Sequence, residues 1–118
     1  MINIDLHNGE LKMDNWIFSP QQNLKYYKNL IRSNELESWT SNKNWSSYRL
    51  NIFKEYILIL YFENEEIKMI DIFPTNGKDG DIATLLKKLG SEYVYSWGKV
   101  ELNIDIKAGY QSVIVKYN

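Results

Sequence analysis

The sequence predicts an α+β domain: a single twisted antiparallel sheet of about six to seven strands, with two helices packed mainly on one face. Three observations point there. Tyr56 to Phe62 is apolar at every position, and the apolar character returns at Ile67 to Phe73 after the break Glu63-Asn64-Glu65-Glu66. Helix signals stand at Ser19-Pro20-Gln21-Gln22 and over Ile82 to Leu89. From Val100 to Tyr117 apolar and polar residues alternate, the pattern of a hairpin with one wet face.

Taken in order, Ile2, Ile4 and Leu6 alternate with polar residues, His7-Asn8-Gly9 can turn the chain, and Leu11 and Met13 alternate again. An N-terminal hairpin follows, with Trp16-Ile17-Phe18 continuing as a short buried strand or its end. Ser19 is placed to cap a helix, Pro20 to occupy its first position and Gln22 to complete the capping box. That helix should run to about Ser33 and bury Leu24, Tyr27, Leu30 and Ile31. Residues 33–47 read as a polar loop with a short edge strand near Leu36 to Thr40. Tyr48, Leu50 and Ile52 mark the strand before the central hairpin.

A run with no polar position has no solvent face, so Tyr56 to Phe62 is expected as a central strand covered on both sides. Pro74, Gly77 and Gly80 end the sheet segment. Asp79 or Asp81 then caps the second helix, in which Ile82, Leu85, Leu86 and Leu89 share one face and Gly90 ends the last turn. The closing hairpin turns at Ala108-Gly109.

The chain of 118 residues is long enough for one core, and residues 1–118 are read as a single domain. It has no cysteine, which removes disulfides, thiolate metal sites and cysteine nucleophiles. No signal sequence and no membrane-spanning run is present, so a cytoplasmic protein is expected. The formal charge of -1 argues against direct nucleic-acid binding. That charge is uneven, however. Residues 20–54 hold six basic and two acidic residues, whereas residues 55–82 hold seven acids against Lys68 and Lys78. An acidic middle of this kind suits a basic partner.

No catalytic constellation emerges. His7 is the single histidine and has no nucleophile to serve; Gly77-Lys78-Asp79-Gly80 lacks the spacing of a phosphate loop. Glu63, Glu65 and Glu66 sit at a solvated hairpin tip, where nothing would tune them for acid–base work. No metal and no cofactor is implied. Tyr93, Tyr95 and Trp97 alternate and could be core or a contact row.

The C-terminal segment resembles a family. Tyr95-Ser96-Trp97-Gly98-Lys99-Val100, then Asp105-Ile106-Lys107-Ala108-Gly109, then Ser112-Val113-Ile114-Val115-Lys116-Tyr117 is similar to the ending of a group of small bacterial proteins. Those end in Tyr-x-Trp-Gly-x-Ile, Asp-x-Lys-x-Gly and Ser-x-Ile-x-x-Tyr. Leu60 to Ile70 also resembles their central hairpin, and the likeness spans residues 48–117. The stretch between hairpin and last helix is shorter here than in that group.

Many such proteins are encoded beside polymorphic toxins and act as immunity proteins, including those of contact-dependent growth inhibition systems. The resemblance implies a non-enzymatic protein that binds and blocks a cognate toxin domain, in most such systems a nuclease, as a monomer in a 1:1 complex. Combined with the acidic middle, it nominates Glu63, Glu65, Glu66, Asp71, Asp79 and Asp81 as partner-binding residues. The competing expectation is a small-ligand or peptide-binding module using the sheet's wet face and the Trp39 to Trp45 loop.

Overall fold

A computed structural model describes residues 2–13, 16–30, 36–41, 45–51, 55–74, 87, 94–105, 107 and 109–118. The chain runs β1 (Ile2–Ile4), β2 (Leu11–Met13), β3 (Trp16–Phe18), α1 (Leu24–Leu30), β4 (Leu36–Ser41) and β5 (Trp45–Leu50). It continues through β6 (Tyr56–Glu63), β7 (Glu66–Pro74), β8 (Val94–Tyr95), β9 (Gly98–Asp105) and β10 (Tyr110–Tyr117).

These strands form two sheets, which overturns the expected single sheet with two helices on one face. β1, β2 and β3 make a three-stranded sheet, and the other seven strands form a second sheet in the order β4-β5-β6-β7-β10-β9-β8. Among the described residues the only named helix is α1, of seven residues, so the fold is mainly β rather than α+β. The expected second helix, with Asp79 and Asp81, lies outside the described residues except for Lys87.

The reason for two sheets is the shortness and patterning of the first strands. Ile2, Ile4, Leu11, Met13 and Phe18 are buried on one face of three-residue strands. They belong to the same core cluster as Leu58, Leu60, Phe62, Ile70, Ile72, Val113 and Val115 of the large sheet. Packed into this shared core, the small sheet covers apolar surface that an edge-on extension would leave wet. Each fully buried leucine there is worth about 1.5–3 kcal/mol over an exposed one.

Register places the core in rows. Leu50, Leu58, Ile72 and Val113 lie opposite one another across β5, β6, β7 and β10, and Tyr48, Leu60, Ile70 and Val115 form the next row. On the other face Ile59, Asp71 and Ile114 are also buried, so β6 is covered on both sides at its middle.

α1 starts later than its capping sequence suggests. Ser19 begins a turn instead: its Oγ accepts the Gln21 N–H at 3.2 Å and its carbonyl accepts the Gln22 N–H at 3.1 Å. Asn23 is the true cap, its Oδ1 accepting the Tyr26 N–H at 3.0 Å. The cause is Tyr27. Its hydroxyl accepts the Ser19 N–H at 2.9 Å and donates to the Ser19 carbonyl at 3.0 Å, holding Ser19 outside the helix. The Tyr27 ring is fully buried, stacked on Phe18 with centroids 5.8 Å apart, and burial pushes its phenol up to about 12.

Candidate docking surface

The β6–β7 hairpin turns through Asn64 and Glu65, both at positive φ (50° and 71°), the geometry of a two-residue type I′ loop. Asn accepts that conformation readily; a glutamate does so only at a cost. Glu63 and Glu66 face each other across the closing pair, an unfavourable placement for like charges. A register shift between Tyr61 and Phe62 leaves Lys68 as the extra residue of a bulge. Its ammonium lies 3.5 Å from Glu66 and donates to the Asn118 carbonyl at 3.3 Å.

The tip is fastened to α1. Glu65 accepts the Leu24 N–H at 2.8 Å through its carbonyl, and Asn23 bridges to Glu66 as an isolated antiparallel pair. Between them opens a cleft of about 590 Å³ lined by Pro20, Gln21, Gln22, Asn23, Asn64, Glu65 and Glu66. Glu65 and Glu66 are exposed and Glu63 is half-buried. Trp45, 42% exposed, sits opposite Glu63 on β5 and adds a large ring beside the carboxylates.

Of the nominated partner-binding acids, Glu63, Glu65 and Glu66 thus come together, and Asp79 and Asp81 lie outside the described residues. Asp71 does not join them. It is 6% exposed, midway along β7 between Ile59 and Ile114, and its Oδ1 has no hydrogen-bond partner. Burial pushes its carboxyl up, and a hydrogen bond with Ser112 opposes the shift. His7 is exposed in the β1–β2 turn, where its backbone N–H donates to Asp5 Oδ1 at 2.9 Å. Among the described residues no three acids and histidines gather as a metal site, and no helix is long and apolar enough to cross a membrane.

Two residues of the C-terminal motif, Trp97 and Tyr117, hold the fold together. Trp97 belongs to the core, stacked on Tyr95 at 5.2 Å and 5° and tilted against Tyr117. Its indole N–H donates to the Leu6 carbonyl at 2.9 Å, and the Tyr117 hydroxyl donates to the Gly9 carbonyl at 2.8 Å. These bonds tie the turn of the small sheet to the large one.

Over its whole length the chain superposes on a chain of the solved structure "Rhs1-CT in complex with cognate immunity protein RhsI1", with a TM-score of 0.68. The likeness is one of fold. Sequence identity is 12%, and the match covers 100% of this chain and 88% of the other. No protein-family model and no curated protein sequence matches the chain.

Two exposed apolar residues near the tip escaped the sequence reading. Ile17 belongs to a strand expected to be buried, yet only Phe18 of β3 is fully inside. Tyr26 was hidden by its neighbour Tyr27. Adjacent helix residues point about 100° apart, so one of two consecutive tyrosines had to face out.

Proposed function

We propose that this chain is an immunity protein that binds a cognate toxin domain in a 1:1 complex and neutralises it in the cytoplasm of the cell that makes both. The observation that carries the reading is the full-length match to a chain of a toxin–immunity complex. The acidic tip supports it. Glu63, Glu65 and Glu66, with Trp45 beside them, form a rigid negative surface with an aromatic anchor, suited to a positively charged protein surface.

The toxin domain is a nuclease of a contact-dependent growth inhibition or related delivery system. A nuclease must carry a basic cleft to hold its phosphate substrate, and carboxylates occupy such a cleft in place of phosphates. The immunity protein then needs no chemistry of its own.

Co-expression with the toxin domain encoded beside it tests the proposal. Cells should survive induction of the toxin only when this chain is present, and the two proteins should co-elute as a 1:1 complex. Persisting toxicity with both proteins made sinks the reading. Intact DNA and RNA in unprotected, dying cells would remove the nuclease part alone.

A further inference from the structure

A second cleft, of about 310 Å³, adjoins the one at the hairpin tip and shares Gln21 and Gln22 with it. Its other lining residues are Asn8, Glu10, Ile17, Ser19 and Tyr26. Ile17 is 46% and Tyr26 38% exposed, two large apolar side chains set among three amides and the Glu10 carboxylate. Across both clefts the lining includes Glu10, Glu65 and Glu66 and no lysine, arginine or histidine.

We propose that this double groove docks an extended segment of the toxin domain, one that sets an apolar side chain against Ile17 and Tyr26 and a lysine or arginine toward Glu65 and Glu66. The inference rests on the immunity reading and adds where, and by what chemistry, the partner is gripped. Charge complementarity selects a basic segment, and the exposed Ile17 and Tyr26 select protein over a simple polycation. The amides of Asn8, Gln21, Gln22 and Asn23 supply both donors and acceptors, as a peptide backbone needs. A phosphate backbone would meet only like charge from the three carboxylates.

The walls are set before binding. Asn8 donates to Glu10 Oε1 at 2.6 Å and accepts the Glu10 N–H at 2.9 Å. Tyr26 is held edge-on to buried Tyr27 at 5.3 Å, and α1 is bonded to the tip through Leu24 and Glu65. Little ordering is left for the complex to impose, which favours affinity.

The test measures affinity for the toxin domain encoded beside this chain, by calorimetry, for the wild type, Ile17→Asp, Tyr26→Ser, Glu65→Lys and Ile104→Asp. Ile104 is 53% exposed on β9 and absent from both clefts. The three groove variants should each bind about tenfold or more weakly, with Ile104→Asp unchanged. Tyr26→Ser and Glu65→Lys alter exposed side chains, so circular dichroism should show both folded. If the wild type binds and protects while the groove variants bind equally well, the groove is overturned and the immunity reading stands. Wild-type protein that neither binds nor protects overturns both.

Discussion

A Cβ atom added at Gly9 would lie 2.5 Å from Cδ2 of the Trp97 indole, so the turn of the small sheet rests directly on the face of a core tryptophan in the large one. Gly9 is also at φ +78°, where a side chain is strained whatever the space. Gly9→Ala should therefore destabilise the fold by about 2 kcal/mol or more, seen as a lower urea midpoint. Gly109, at φ +73° with nothing near its missing Cβ, is the control: Gly109→Asn should cost well under about 1 kcal/mol.

The same junction predicts a paired result at Tyr117. Its hydroxyl donates to the Gly9 carbonyl inside the core, so Tyr117→Phe leaves that carbonyl without its partner and should cost about 1–2 kcal/mol. In a Gly9→Ala background the turn has already moved, and the two losses should fall short of additive in a double-mutant cycle.

Asp71 should make the protein less stable toward neutral pH. Its carboxyl titrates above the ordinary value of 3.8, so the folded chain holds that proton to higher pH than the unfolded chain does. The unfolded state then binds fewer protons across the interval between the two values, and stability falls as pH rises through it. Above the raised value the deficit is constant. Asp71→Asn removes the ionisation and should be the more stable protein at pH 7 by on the order of 1 kcal/mol, the difference shrinking as pH drops below the ordinary aspartate range. Urea melts at neutral and acid pH measure it; a wild type equally stable relative to Asp71→Asn at both would refute it.

The contrast between Asp71 and the tip acids shows what the sequence could and could not convey. The β6–β7 hairpin was legible, because an apolar run, a charged break and a second apolar run occur within one short stretch. Its strand pairing differs from a simple count only at the Lys68 bulge. Asp71 carries the same charge as Glu65, yet its position in the middle of a strand between two others buries it, and nothing local in Ile70-Asp71-Ile72 separates a buried acid from one on a wet face. The small sheet was illegible as a separate layer for a similar reason: it is defined by bonds such as Trp97 to Leu6, 91 residues apart in the chain. The start of α1 was misplaced because Ser19-Pro20 has every local mark of a cap, while the group that overrules it, the Tyr27 hydroxyl, acts through the fold.

Glu65 offers the sharpest separation of stability from function. It occupies a left-handed position in a type I′ turn where glycine is the favoured residue, and its exposed side chain contributes nothing to the core. Glu65→Gly should therefore stabilise the free protein by about 0.5–1 kcal/mol. If the carboxylate serves a basic partner, the same change should weaken the toxin complex, mainly through a slower association with a weaker salt dependence. Urea denaturation of the free chain and stopped-flow mixing with the toxin domain at low and physiological salt read the two effects independently. A variant both more stable and equally fast to associate would show that the glutamate serves neither the fold nor the complex.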